Sequence, residues 1–226
     1  MVHELSTAAV ADACVRLGLP VRTAPSAIAP VVPGRRFSGP ALPVTHLGSV
    51  DVFLEVINDA RGGEVLVVDN GGRRDEACIG DLITLEAKVA GLSGIVIWGY
   101  HRDTAQLLSI GLPVHSLGAF PTGPQRVPPA GPPMRSAHLD GVAVTGEDHV
   151  IGDDDGVLFL GPERRAEVIE LALSIQAVER DQAERLATGV SLREQLDFAA
   201  YKHHQAMDST YTLRDHLRAH GNAIET

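Results

Sequence analysis

Apolar residues recur along this chain first at helical spacing and then in short unbroken runs. Residues 5–17 place Val10, Ala13, Cys14 and Leu17 on one stripe, with Ser6 or Thr7 as the cap and Gly18 as the stop. Residues 20–48 are broken by Pro and Gly and hold short β-like pieces such as 37–44. Ser49 reads as the cap of a second helix that turns Val52, Phe53, Val56 and Ile57 inward and ends at Gly62-Gly63. The run 64–69 is nearly all apolar, as expected of a strand covered on both faces. After a polar loop, 70–75, a glycine turn at Gly80 opens a helix, and the buried strand Ile95-Val96-Ile97-Trp98 follows. A short helix, 104–110, stops at Gly111, and 112–116 reads as another strand. Strands and helices in that alternation predict right-handed crossovers and a sheet that is at least partly parallel.

The rhythm changes after residues 121–133, an extended connection with six prolines and two glycines. Short strands are predicted at 141–145, 149–151 and 157–160, the last two joined by a tight turn at Gly152-Asp153-Asp154-Asp155-Gly156. Pro162 then opens a long helix that runs to about residue 187, and Gly189 ends it. Ser191-Leu192-Arg193-Glu194 forms a capping box for one more helix. The polar, His-rich stretch 201–226 reads as an arm or a partly disordered tail. The expected architecture is an α/β domain with a mixed sheet over residues 1–200, followed by a C-terminal extension over 201–226. A long helix that its own chain buries poorly often docks on a neighbour, so a homo-oligomer is expected.

Composition narrows the function. A hydrophobic fraction of 44% permits a proper core, and a formal charge of -10 with no basic run argues against nucleic acid as a partner. Cys14 and Cys78 support neither a disulfide framework nor a zinc site, which suits a reducing cytoplasm. The N-terminus lacks a basic-then-apolar signal pattern and no apolar run is long enough to span a bilayer, so neither membrane nor export is expected.

The stretch from Gly80 to Asp103 concentrates the candidate chemistry. A helix opening directly after Gly80 presents unpaired N–H groups that suit a carboxylate or phosphate. The strand after it delivers Arg102 and Asp103 to its C-terminal end, the edge where open α/β sheets collect ligands. Arg102 suits a bidentate carboxylate contact, and Asp103 suits a hard cation such as Mg²⁺ or Mn²⁺. Neighbours on an extended segment point to opposite sides, so the two need not pair. On spacing alone the plainer reading is a surface ion pair. Asp81 either complements the helix N-terminus or acts as a base in the same cleft. His101 lines the cleft or caps the loop. Cys78 reads as a small buried side chain, and the Asp153–Asp155 run as a hairpin rather than a calcium loop. His216 and His220, four apart but without a third ligand, are expected to be exposed.

Together these pieces resemble one family. The likeness rests on Val65-Leu66-Val67-Val68-Asp69-Asn70-Gly71-Gly72, Gly80-Asp81-Leu82, Gly94-Ile95-Val96-Ile97 with Gly99 and Arg102-Asp103, Gly111-Leu112-Pro113-Val114, and Gly152 through Val157. It spans roughly residues 5–195 and is to the RraA-like group, which includes 4-hydroxy-4-methyl-2-oxoglutarate aldolases that also decarboxylate oxaloacetate. The resemblance implies a layered α-β-β-α fold in a trimer or hexamer, and a divalent metal, Mg²⁺ or Mn²⁺, on Asp103. It further implies that Arg102 and the backbone N–H groups after Gly80, those of Leu82 and Ile83, hold the pyruvyl end of a 2-oxo acid. Asp81 would move the proton of the 4-hydroxyl, and Glu179 of a neighbouring subunit would complete the metal shell. Gln106 departs from the pattern, because the enzymes usually carry an acid there. The basic pair Arg73-Arg74 suits the far end of a dicarboxylate. Other members bind and inhibit a ribonuclease, and they typically lack the aspartate after the arginine, so Asp103 favours the enzyme. A methyltransferase reading finds no nucleotide-type loop to support it.

Overall fold

The computed structural model describes residues 5–128 and 131–220. The N-terminal part runs α1 (Thr7–Arg16), β1 (Ala29–Pro30), β2 (Phe37–Thr45), α2 (Asp51–Asn58), β3 (Val65–Asp69), β4 (Ala77–Ile79), α3 (Asp81–Val89) and β5 (Gly94–Trp98). It continues through β6 (Tyr100–His101), α4 (Thr104–Ile110), β7 (Val114–Ser116), β8 (Ala137–Leu139), β9 (Val142–Val144), β10 (His149–Asp153) and β11 (Gly156–Leu160). Four helices close the chain: α5 (Arg165–Ala187), α6 (Leu192–Gln195), α7 (Phe198–Met207) and α8 (Leu213–His220). Among the described residues, no helix is long and apolar enough to cross a membrane.

A seven-stranded mixed sheet in the order β1-β7-β5-β3-β2-β10-β11 forms the frame. The neighbours β2, β3, β5 and β7 pair in parallel, while β1, β10 and β11 add antiparallel edges. Why β3 is apolar up to Asp69 is now plain. Leu66 and Val68 join one core, with Phe53 and Val56 of α2, Ala87 of α3 and Leu107 of α4. Val65 and Val67 point the other way, onto Ala137, Leu139 and Val144 of the β8–β9 hairpin. Period-two alternation with both faces covered leaves no polar position before Asp69 to mark an outward face. A third core joins α1 and α5 to Ile151, Leu158 and Leu160 at the other end of the sheet. The result is an α/β fold with a mixed sheet between layers, as the patterning predicts.

The structure corrects several boundaries. Helix α2 has Val50 rather than Ser49 at its N-cap, and its own Asp51 carboxylate takes the Val52 N–H at 2.9 Å. The strand β8 was not foreseen, because three residues are too few for a periodic signal. The segment expected as an arm is helical through α7 and α8, and residues 221–226 lie outside the described part. Helix α7 runs through position 200, so no break in secondary structure marks that boundary. His216 is buried rather than exposed; its Nε2 lies 2.9 Å from the Leu196 carbonyl and so ties α8 to α6, while the His220 side chain lies outside the described part. The Asp-rich turn is the expected hairpin, with Asp153 pairing with Gly156. Asp153 is also buried, accepting from the Thr7 N–H at 2.8 Å and the Thr7 hydroxyl at 2.7 Å, which fastens α1 to the sheet.

Candidate functional site

Two very short strands build the site. β4 pairs in parallel with β6, with Ile79 opposite His101, and the Arg102 N–H donates to the Ile79 carbonyl at 2.9 Å. Each strand feeds a helix at once: Gly80 is the N-cap of α3 and Asp103 the N-cap of α4. The first turns of both helices therefore open side by side. Asp103 adopts left-handed backbone angles, φ 59° and ψ 42°, which Asp tolerates better than most residues. Its carbonyl accepts from the N–H groups of Gln106 at 2.9 Å and Leu107 at 3.0 Å, so the bend is fixed by the start of α4.

That bend makes the ion pair of the plainer reading. In extended backbone Arg102 and Asp103 would point apart, but the left-handed turn brings the Asp103 carboxylate to 3.3 Å from Arg102 Nε. The same oxygen, Oδ2, lies 3.4 Å from the Asp81 N–H. A Cβ at position 80 would stand 2.4 Å from it and 3.1 Å from Arg102 Nε. Glycine at 80 is what allows the approach.

Gly80, Asp81, Leu82, Ile83 and Arg102 all line one cleft of about 590 Å³, together with α2, the outer face of α3 and Pro124. The volume lies within the range of about 300–1,000 Å³ usual for small-molecule sites. Asp103 meets the cleft at its edge, through its contacts with Arg102 and Asp81. The Leu82 N–H points to the Asp81 carboxylate at 2.8 Å, so that donor is already capped by the chain itself. The Ile83 N–H precedes the first intrahelical bond, Thr84 N–H to Gly80 carbonyl at 3.1 Å, and remains directed out of the helix start.

A buried polar network supports the arginine from behind. Glu76 and Arg126 form a close ion pair, and Arg126 also donates to Asn70 Oδ1 at 2.9 Å. His46 Nδ1 meets the same Asn70 oxygen at 2.8 Å, and its ring stacks on Phe53 with centroids 5.1 Å apart. Burial alone would raise the Glu76 pKa, but the Arg126 hydrogen bond and charge, with Arg73, hold it below the ordinary carboxylate value. The Ala77 N–H donates to the Thr122 carbonyl at 2.8 Å, and Gly123 of that loop lies so near Arg102 that a Cβ there would be 3.0 Å from Nη1. Glu76 and Arg126 are fifty positions apart, and no local pattern pairs them. His46 and Asn70 follow the C-terminal ends of β2 and β3, and that placement was the one signal available.

The remaining candidates fall elsewhere. His101 caps the loop: Nδ1 lies 2.7 Å from the Ser116 hydroxyl and Nε2 2.9 Å from that of Thr104. Cys78 is buried, and burial pushes its thiol pKa well above the ordinary value, so it is inert packing. Arg73 is paired with Asp75 and Glu76, and Arg74 is not among the cleft residues; neither presents a cation to it. Gln106 is exposed on the first turn of α4. Glu179 is exposed on α5, whose buried positions Val168, Ala172 and Ile175 face the α1 core, and it is not among the residues that line the cleft.

The donor set bears on a metal. Among the described residues no group of three or more His, Cys, Asp or Glu side chains converges on one point. What the cleft offers is the partly exposed Asp103 carboxylate, with Asp81 next to it. One or two carboxylates fit a hard, largely hydrated divalent cation and do not fit a closed zinc site.

Comparison with known proteins bears on the family and the fold. The family model RraA-like: Aldolase/RraA matches residues 7–159. A Shewanella oneidensis protein provisionally named 4-hydroxy-4-methyl-2-oxoglutarate aldolase is 40% identical over 87 residues, 38% of this chain. That match spans 53% of the relative, so the chain covers about half of its length. An uncharacterized Pseudomonas syringae protein of known structure superposes with a TM-score of 0.75 at 29% identity, covering 84% of this chain and 92% of its own. Streptomyces coelicolor RraAS2, described as an unusual member of the RNase ES inhibitor RraA protein family, gives a TM-score of 0.71 at 25% identity, with 81% and 95% covered.

Proposed function

This chain belongs to the RraA-like, Aldolase/RraA family, and on that premise we propose that it is a divalent-metal-dependent lyase that breaks carbon–carbon bonds in 2-oxo acids. The reactions are aldol cleavage of substrates like 4-hydroxy-4-methyl-2-oxoglutarate, decarboxylation of oxaloacetate, or both. One observation carries the reading: the Asp103 carboxylate lies 3.3 Å from Arg102 Nε and 3.4 Å from the Asp81 N–H at the start of α3, at the edge of a cleft of about 590 Å³. A surface salt bridge needs neither the cleft nor the left-handed aspartate.

Asp103 would hold Mg²⁺ or Mn²⁺ largely through waters, with Glu179 of a second copy completing the shell. When bound, such an ion acts as a Lewis acid toward the 2-oxo group and is worth several kcal/mol in stabilising charge that develops there. The chain's own residues do the rest. Arg102, half exposed, offers its planar fork to the substrate carboxylate. The Ile83 N–H at the start of α3 adds a donor aimed at the same anion. Asp81 is within a side-chain rotation of releasing the Leu82 N–H to that anion, and its freed carboxylate then takes the proton of the 4-hydroxyl.

The test is pyruvate release from 2-oxo acids with and without Mg²⁺ or Mn²⁺. Asp103→Asn keeps a residue that tolerates left-handed angles and removes the charge, so the fold stays and metal-dependent release is lost. Arg102→Lys replaces a fork by a point charge and lowers kcat/KM by at least about tenfold. Full activity in Asp103→Asn without metal would overturn the reading.

A second reading is kept alive by the Streptomyces likeness: a binding protein that regulates a ribonuclease. It predicts no pyruvate from any 2-oxo acid, and direct inhibition of a purified ribonuclease of the E type.

A further inference from the structure

The cleft is chemically lopsided. At one end stand Arg102 and the first turn of α3; the rest is walled by Leu54, Leu85, Val50 and Val89. These side chains are 45–78% exposed, where a packed helix pair would normally hide them. Arg102 is the one basic residue among those lining it, and the acids present, Asp81 and Glu86, repel anions. Of the basic pair that the sequence offers for a second carboxylate, Arg73 is taken by Asp75 and Glu76, and Arg74 is not among the residues that line the cleft.

We infer that the preferred substrate carries an uncharged, apolar group on C4, and that this group lies along the trough between α2 and α3. The inference rests on the lyase reading and goes beyond it. The single guanidinium is committed to the pyruvyl carboxylate. A second carboxylate would then enter a wall of leucine and valine without a partner, a cost that apolar substituents escape. The step remains an ordinary retro-aldol. The 4-hydroxyl loses its proton to Asp81 as the C3–C4 bond breaks. C4 leaves as the carbonyl carbon of an aldehyde or ketone, and the bond's electron pair stays on C3, which gains a proton to give pyruvate. Nothing is oxidised or reduced overall, and no co-reactant is needed.

The experiment compares kcat/KM with Mg²⁺ for 4-hydroxy-2-oxo-4-phenylbutanoate, which yields benzaldehyde and pyruvate, and for 4-hydroxy-4-methyl-2-oxoglutarate. The phenyl substrate should win by at least about tenfold, the scale on which an apolar pocket discriminates. Leu54→Arg, at a half-exposed position that leaves folding intact by thermal melting, should shrink or invert that ratio. A preference for the dicarboxylate overturns the inference and leaves the lyase reading standing. Absence of pyruvate from both substrates removes the lyase reading itself. A Leu54→Arg protein with an unchanged ratio but a smaller assembly by light scattering also overturns it, because the leucines then serve a contact between copies of the chain.

Discussion

At the scale of single residues the site depends on two backbone choices. Asp103 accepts a left-handed conformation, and Gly80 has no Cβ to fill the space that the Asp103 carboxylate occupies. The φ of Gly80 is -131°, which any residue adopts, so alanine there meets no backbone strain. It meets Asp103 Oδ2 at 2.4 Å instead, and that oxygen ends a side chain able to turn away. Gly80→Ala should therefore melt like the parent while losing at least about a hundredfold in kcat/KM, the scale of loss when catalytic groups shift by about 1 Å. Wild-type turnover in a folded Gly80→Ala protein would mean that the contact between positions 80 and 103 is incidental. The same logic makes Asp103→Ala a poor probe. It removes the carboxylate and also places alanine at φ 59°, mixing backbone cost with chemistry.

At the scale of elements, what was legible followed chain periodicity, and what was hidden depended on contacts between distant segments. Strands β3 and β5 announced themselves as apolar runs, and α5 by its stop at Gly189 and the Ser191–Glu194 capping box after it, whose two reciprocal bonds the structure shows. Gly80, Asp81, Arg102 and Asp103 were legible as a motif, but the reason they meet was not. The three-residue β4 and two-residue β6 carry no period of their own and form only because each finds the other. The Glu76–Arg126 pair was equally invisible. It holds the 122–126 loop that packs on Arg102, and the Glu76 side chain is only 5% exposed. Glu76→Gln leaves Arg126 without its countercharge, so stability should fall by about 1–3 kcal/mol. The loop should loosen with it, and on the proposed reading, in which Arg102 binds the carboxylate, KM for 2-oxo acids should rise more than kcat falls. An unchanged urea midpoint with unchanged KM would show that the backbone bond from Ala77 to Thr122 holds the loop alone.

At the scale of the whole molecule, buried imidazoles set how stability responds to pH. His46 and His115 are each 1% exposed, and burial lowers the pKa of both rings below the ordinary value. Around His46 stand Arg126, Glu76 and Asp51, and around His115 stand Asp153 and Asp154. The unfolded chain binds these protons more tightly, so their contribution is complete above about pH 6.5 and is lost as pH falls below it. The buried carboxylates with lowered pKa, Glu76 and Asp148, add their loss only at more acid pH. Urea midpoints should thus already drop between pH 6.5 and 5.5, and a flat profile there would contradict the buried, neutral assignment. Assembly is the last question at this scale. Asp103 supplies one carboxylate, and Glu179 is exposed on α5, whose inner face is already used against α1. If a second copy brings Glu179 to the cleft, Asp103→Asn and Glu179→Gln chains are each inactive alone. Coexpressed in one assembly they place an intact Asp103 opposite an intact Glu179 at some sites, and metal-dependent pyruvate release returns. Failure of the mixture, with both variants folded and assembled, would confine the site to one chain; full activity of Glu179→Gln alone would take that residue out of the metal shell.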